Sequence, residues 1–151
     1  MSPAAVPNLA AVLFDLDSTL ADSEPMMSAL LLEIVREHGH EVNADDLVPL
    51  AGQTFPRKME ALGIPGPHDA LDDEYRERYR NRLGETPAIE GAAPLLGMLS
   101  DRGIACAIVS NKVEDGATRL IAAFGWDQHL PVIVGRDTAS DGSRKPQPGP
   151  A

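Results

Sequence analysis

The sequence predicts an α/β fold in which a parallel sheet packs against helices and an all-helical segment interrupts the core. Short apolar runs alternate with amphipathic helical patterns at the two ends of the chain, a pattern typical of a parallel sheet covered by helices. The intervening residues 22–87 show helical patterns and no convincing strand. We therefore predict a core formed by residues 1–21 and 88–151, with a helical cap formed by residues 22–87.

Three strands are predicted in the core. Ala10–Phe14 is a continuous apolar run that ends abruptly at Asp15, as expected for a strand buried on both faces. Ile104–Val109 and Leu130–Val134 are two further runs of this kind. Ligands of open parallel sheets bind at the carboxyl ends of the strands. That rule directs attention to Asp15, to Ser110 and to the loop after the third strand.

The predicted helices are recognised by apolar residues that recur at steps of three and four. One of them covers the region from Met26 to His38 and ends at Gly39. Right-handed crossovers are expected to join the strands. The remaining predicted helices are Ala44–Leu50, Thr54–Leu62 and His68–Leu83 in the cap, and Ala92–Arg102 and Glu114–Phe124 in the core.

Composition and charge exclude several classes of protein. Hydrophobic residues make up 43% and charged residues 24% of the 151 residues, as in ordinary globular domains. The net charge of -10 argues against binding to nucleic acid. Neither a signal peptide nor a membrane-spanning run is recognised, so we expect a cytoplasmic protein without membrane contacts. The single cysteine, Cys106, is expected to be a small buried residue on a strand.

The chemically most suggestive segment is Asp15–Thr19, where two carboxylates lie two residues apart directly after a strand. Such a pair suits Mg²⁺, which is usually held by one or two carboxylates together with waters and substrate oxygens. A turn or a helix cap is an equally valid interpretation, because Asp, Ser and Thr favour both. A calcium loop is excluded, since Leu20 and Met26 stand where that loop needs Gly and Glu. Dinucleotide, P-loop and zinc motifs are absent from the sequence.

Three separated segments resemble the motifs of the haloacid dehalogenase-like (HAD) hydrolases. They are Phe14–Leu20, Ile108–Lys112 and Lys145–Pro148, in the order in which the family carries its motifs. The helical segment lies where relatives of the phosphoglycolate phosphatase and β-phosphoglucomutase type carry a helical cap. The resemblance implies an incomplete three-layer, Rossmann-like parallel sheet and a Mg²⁺-dependent phosphatase acting on a small phosphorylated metabolite.

The resemblance also implies roles for individual residues. Asp15 corresponds to the nucleophile that forms an aspartyl-phosphate, and Asp17 to the general acid and base. Mg²⁺ is held by the Asp15 carboxylate and the Asp17 backbone carbonyl, and Lys145 neutralises negative charge. Because dehalogenases of the family lack a carboxylate at the position of Asp17, phosphate esters are the favoured substrates. The implied phosphate-binding residues are Ser110, Asn111 and Thr19.

Several of these residues have simpler interpretations that the sequence leaves open. Ser110 and Asn111 are also residues that end a strand and begin a turn. Lys145 is also consistent with a solvated tail residue. In the cap, Gln53, Thr54 and Arg57 are weak candidates for substrate contacts, because surface polar residues are more often simply solvated. A phosphomutase and a non-catalytic remnant of the fold are the alternative functions.

The family pattern continues beyond its third motif with a further helix, a further strand and an acidic segment, whereas the sequence ends at Ala151. Asp137 and Asp141 are poor substitutes for that segment, because they follow the wrong strand. We therefore expect a truncated chain with weakened Mg²⁺ binding. We also expect the first strand to be an exposed sheet edge that promotes self-association.

Overall fold

A computed structural model describes residues 9–138 of the chain, which divide into two compact units. One unit contains the sheet and comprises residues 1–22 and 87–151, of which 9–22 and 87–138 are described. The other unit is helical and comprises Ser23–Thr86. We call them the sheet unit and the helical unit. Within residues 9–138, no helix is both long enough and apolar enough to cross a membrane.

The sheet unit is built on three parallel strands in the order β1-β2-β3. They are β1 (Ala11–Phe14), β2 (Ala105–Val109) and β3 (Val132–Val134). Phe14 pairs with Ile108, and Ile108 pairs with Ile133, so the three carboxyl ends meet at one edge of the sheet. The α/β class with a parallel sheet predicted from the sequence is confirmed.

Two helices pack on this sheet, α5 (Ala92–Asp101) and α6 (Glu114–Ala123). Because β1, β2 and β3 follow one another in a single direction across the sheet, two right-handed crossovers place both helices on the same face. The helix α5 ends at Gly103, whose φ of +67° lies in the left-handed region that glycine tolerates without strain. The buried side chains of the two helices include Leu96, Leu99, Leu120 and Ile121.

The two faces of the sheet differ sharply in exposure. Cys106 and Ile108 of β2 are buried on the face that carries the helices, and burial raises the pKa of the Cys106 thiol. On the opposite face, Leu13 is 69% exposed and Val132 is 54% exposed. These two residues flank Ala107 in one row across the three strands. Residues 9–138 therefore contain a sheet with one covered face and one apolar face open to solvent.

The helical unit contains four α-helices and two short 3₁₀ turns among the described residues. The interior of the unit is an aliphatic cluster that includes Leu31, Val35 and Met59. The helices are α1 (Glu24–Glu37), α2 (Ala44–Leu47), α3 (Phe55–Ala61) and α4 (Asp69–Arg82), and the 3₁₀ turns are Val48–Leu50 and Leu83–Glu85.

Ion pairs link α1 to α4 on the surface of the helical unit. The Arg78 guanidinium donates to the carboxylates of Glu33 and Glu37 at 2.9 and 2.6 Å. Its hydrogen bond with Glu37 raises the pKa of Arg78, and the same bond lowers the pKa of Glu37. Because these pairs are exposed to solvent, they contribute to the orientation of the two helices more than to the free energy of unfolding.

Two elements are shorter than the sequence predicts by more than one residue at one end, and proline accounts for both differences. The predicted helix Ala44–Leu50 is α-helical only to Leu47 and continues as a 3₁₀ turn, because Pro49 has no N–H for an α-helical hydrogen bond. The predicted strand Leu130–Val134 begins at Val132. Pro131 cannot donate to the ladder, and the Leu130 N–H donates to the Trp126 carbonyl instead.

The exposed apolar face predicts that a chain of these 151 residues associates with itself. Replacing Leu13 and Val132 together by Thr keeps residues that favour strands and removes exposed apolar surface, so we expect the double variant to shift toward monomer. Sedimentation velocity over a series of concentrations measures this shift. Val48→Thr is the matched control, since Val48 is also highly exposed but belongs to the helical unit. A wild-type chain that stays monomeric at every concentration would contradict the prediction.

Candidate active site

The candidate site lies at the carboxyl edge of the sheet, where the loops after β1, β2 and β3 begin. Asp15 directly follows β1 and Ser110 directly follows β2, and these two strands are paired neighbours in the sheet. The Ser110 N–H donates to the carbonyl of Val134 at 2.9 Å, which extends the pairing of β2 with β3 by one residue. The loop that contains Asp15 and Asp17 and the loop that contains Ser110 and Asn111 therefore begin at the same edge of the sheet.

The loop after β1 is a tight turn around a single carbonyl. The Leu16 carbonyl accepts the N–H groups of Thr19, Leu20 and Ala21 at 3.0 to 3.2 Å. Ser18 adopts a φ of +61°, a left-handed conformation that L residues rarely adopt. Leu16 and Leu20 are buried and anchor the turn. The polar residues between these anchors thus occupy a loop of closely defined shape.

The two acids of this loop have different surroundings. One carboxylate oxygen of Asp15 accepts the Leu16 N–H at 2.9 Å, which orients the side chain of an otherwise exposed residue. One carboxylate oxygen of Asp17 lies 3.2 Å from the ammonium of Lys112 on the loop after β2. The Asp17 side chain is 29% exposed, so it remains accessible to a ligand.

The loop after β2 carries the serine that the sequence singled out. Ser110 is buried, and its hydroxyl oxygen accepts the N–H of Lys112 at 3.1 Å. Since the oxygen acts as acceptor in that bond, the hydroxyl proton remains available for donation to a ligand. Asn111 is exposed at the tip of the same loop.

Lys112 contributes to the candidate site although the sequence did not predict a role for it. Its side chain is only 7% exposed, and its ammonium joins the loop after β2 to Asp17 of the loop after β1. The only hint in the sequence is its position, two residues after the serine that follows β2. The sequence alone gave no indication of where that flexible side chain points.

The loop after β3 closes against the loop after β2. The Arg136 N–H donates to the Lys112 carbonyl at 3.0 Å, and an Asp137 carboxylate oxygen accepts the Glu114 N–H at 2.7 Å. The Thr138 hydroxyl donates to the Glu114 carboxylate at 2.6 Å. Asp137 therefore satisfies a backbone donor at the start of α6, which gives this acid a structural role.

Some predicted residues fall elsewhere. Thr19 lies in the turn after β1, with an exposed side chain. Gln53 and Thr54 precede α3 and Arg57 lies in its first turn, all within the helical unit, where their contacts with substrate stay predictions. Lys145 and Asp141 lie outside the described residues.

The acids present are compatible with Mg²⁺. Residues 9–138 contain no group of three or more His, Cys, Asp or Glu side chains that converge on a common point. Mg²⁺ needs no such cluster, since it keeps several waters and takes one or two protein oxygens together with substrate oxygens. The Asp15 carboxylate is a suitable ligand for the ion. Because its hydrogen bond with the Leu16 N–H already orients the side chain, binding costs little further conformational entropy.

Gly135 is required by the close approach of the loops after β2 and β3. A Cβ atom at this position would lie 2.5 Å from the Glu114 nitrogen and 2.9 Å from the Lys112 carbonyl oxygen. Because both atoms belong to the backbone, we expect Gly135→Ala to displace the loop and to destabilise the fold by about 1–3 kcal/mol. Urea denaturation measures the loss.

The matched control for this variant is Gly97→Ala. Gly97 lies inside α5, and a Cβ there would meet nothing within 4 Å. Alanine favours the helix, so the control is expected to gain roughly 0.5–1 kcal/mol. Equal stability of Gly135→Ala and the wild type would show that the two loops are not packed as described.

Comparison with known proteins identifies relatives along nearly the whole chain. A phosphoglycolate phosphatase of Xanthomonas campestris is 34% identical over 146 residues, which cover 93% of this chain and 65% of that protein. The tyrosine-protein kinase PtkA of Mycobacterium tuberculosis is 32% identical over 145 residues, covering 95% and 48%. The chain thus spans about two thirds of the length of the first relative and about half that of the second.

A solved structure has the same architecture. A HAD family hydrolase from Deinococcus radiodurans, crystallised with bound phosphate and sodium, superposes with a TM-score of 0.71 at 26% identity. The match covers 93% of this chain and 63% of that one. The family model of the haloacid dehalogenase-like hydrolases matches residues 12–151. With both aspartates, the serine loop and the parallel sheet inside that match, the chain belongs to the haloacid dehalogenase-like hydrolase family.

Proposed function

We propose that this protein is a Mg²⁺-dependent phosphomonoester hydrolase that forms an aspartyl-phosphate on Asp15. The observation that carries the proposal is the acid pair at the carboxyl end of β1, joined to the serine loop of β2 by the contact between Asp17 and Lys112. A nucleophile, a proton-transfer group and a phosphate-binding hydroxyl are thereby supplied by loops that start from adjacent strands.

The reaction begins with attack of an Asp15 carboxylate oxygen on phosphorus. The bond from phosphorus to the ester oxygen breaks, and protonated Asp17 gives its proton to that leaving oxygen. A water molecule then attacks phosphorus in the aspartyl-phosphate, and Asp17 takes up the proton that the water loses. Inorganic phosphate leaves, and both aspartates regain their initial states.

Phosphate binding is assigned to residues around the same edge. The buried Ser110 hydroxyl, whose oxygen is held by the Lys112 N–H, donates to a phosphoryl oxygen. The side chain or backbone of Asn111 and the Thr19 hydroxyl are further donors, and Lys145 supplies positive charge. Such preorganised donors stabilise the charge that develops in phosphoryl transfer.

Mg²⁺ is the cofactor that this donor set suits. The Asp15 carboxylate and the Asp17 backbone carbonyl would hold it, with water and phosphoryl oxygens as the other ligands. When bound, the ion neutralises negative charge on the phosphoryl group. The Asp17 side chain then keeps its function in proton transfer, because the metal contact uses its backbone.

The substrate is proposed to be a small phosphorylated metabolite, and 2-phosphoglycolate is the first one to test because a relative is named for it. Gln53, Thr54 and Arg57 of the helical unit are candidates for contacts with the organic part of the substrate. The alternatives are a phosphomutase, which would convert a sugar phosphate without releasing phosphate, and a non-catalytic remnant, which would bind phosphate without turnover.

The test is release of inorganic phosphate from p-nitrophenyl phosphate and 2-phosphoglycolate by the wild-type chain. Activity is expected to disappear with EDTA and to return with added Mg²⁺. We expect Asp15→Asn to lower kcat at least about a thousandfold, because the nucleophile is lost.

Asp101→Asn is the matched control for Asp15→Asn. It makes the same chemical change at an exposed acid that ends α5 and precedes the amino end of β2, at the opposite edge of the sheet. Its activity should equal that of the wild type. A folded wild-type chain that releases no phosphate from either ester would refute the proposal for this chain, as would full activity of Asp15→Asn.

A further inference from the structure

Lys112 is held along its whole length. Its N–H donates to the Ser110 hydroxyl oxygen at 3.1 Å, and its carbonyl accepts the Arg136 N–H at 3.0 Å. Its aliphatic stem passes over Gly116 in the first turn of α6, where a Cβ atom would lie 3.5 Å from the Lys112 Cγ and Cδ atoms. The ammonium ends 3.2 Å from an Asp17 carboxylate oxygen. A lysine side chain fixed at both ends has lost most of its conformational freedom.

Burial of the Lys112 ammonium costs desolvation free energy. The Lys112 side chain is 7% exposed, and an ammonium that leaves water loses hydration that ion pairs replace only partly. Among the described basic residues of the sheet unit, Arg102 and Arg119 are exposed, and Arg119 pairs with Asp115 at the surface of α6. Lys112 is instead a mostly buried cation at the edge of the sheet that carries the acids.

We propose that Lys112 is a positioning residue for the reaction, holding the Asp17 carboxylate where the ester oxygen of the substrate departs. The inference rests on the proposed hydrolase function. An aspartate side chain has two rotatable bonds, and the contact with the Lys112 ammonium restricts the rotamers that Asp17 can adopt. Misplacement of a reacting group by about 1 Å is enough to lower a rate about a hundredfold.

This role differs from phosphate binding in a measurable way. An alkyl ester needs a proton on its leaving oxygen, because an alkoxide is a poor leaving group. The p-nitrophenolate ion leaves readily without that proton. If Lys112 acts through Asp17, its loss lowers kcat/KM, which reports the step in which the ester oxygen leaves, much more for the alkyl ester than for the aryl ester. If Lys112 bound the phosphoryl group, its loss would affect both esters alike.

The experiment compares kcat and KM for ethyl phosphate and p-nitrophenyl phosphate in the wild type and in Lys112→Met. We expect kcat/KM for ethyl phosphate to fall at least about tenfold further than kcat/KM for p-nitrophenyl phosphate, as general acid catalysis is lost in part. Lys112→Arg keeps the charge and should recover part of the loss on ethyl phosphate.

Asp17→Asn identifies the partner through which Lys112 acts. It should show the same selective loss on ethyl phosphate, and adding Lys112→Met to Asp17→Asn should cause little further loss, because the two residues act as one unit. Arg119→Met removes a surface cation of the same unit and should leave both rates unchanged. If Lys112→Met does not fold, as judged by circular dichroism, Lys112→Gln serves instead, since it also removes the ammonium that contacts Asp17.

Three results separate the outcomes. Equal losses of kcat/KM on the two esters would overturn the role of Lys112 and leave the hydrolase proposal intact. A full additional loss in the double variant would do the same. A wild-type chain that hydrolyses neither ester would overturn both proposals together.

Discussion

The parallel pairing of β1 with β2 is the constraint on which the site depends. Each strand is too short to define a surface alone, yet the register that pairs Phe14 with Ile108 puts their following residues side by side. The loop that begins at Asp15 and the loop that begins at Ser110 therefore start at the same edge of the sheet, and Asp17 of the first loop contacts Lys112 of the second. A shift by one residue would turn every side chain of β1 to the other face of the sheet. The register of the strands therefore determines which loop residues can meet at this edge of the sheet.

The loop after β3 has a supporting function in this scheme. It carries no predicted catalytic residue among those described, yet it contacts the backbone of the loop after β2 through Gly135, Arg136 and Asp137. These contacts hold the Lys112 carbonyl and the first N–H of α6. Because the serine and the lysine sit on the same short loop, stiffness of that loop limits how far either can move. A third strand thereby stabilises a site formed at the first two.

The sequence predicted most of the fold because the local signals agreed with the tertiary structure. Apolar runs marked the strands, and helical periodicity with terminal glycines marked the helices, with errors where Pro49 and Pro131 lack a donor. Asp15 and Ser110 directly follow strands and Asp17 lies two residues beyond Asp15, so the sequence places these three candidates at the carboxyl edge of the sheet. The contact between Lys112 and Asp17 was not predictable, since it depends on strand register and on the direction of a side chain with four rotatable bonds.

The two curated relatives carry different names, a phosphatase and a tyrosine kinase, although each matches more than nine tenths of this chain. A shared scaffold therefore does not define the acceptor of the phosphoryl group. Breaking a phosphate ester at an alkyl oxygen requires a proton donor at the leaving atom, and the sheet unit offers Asp17 for that task with Lys112 against it. Hydrolysis further requires that a water reaches phosphorus after the alcohol departs. Asp17, the proposed proton-transfer group, has a side chain that is 29% exposed and therefore accessible to that water.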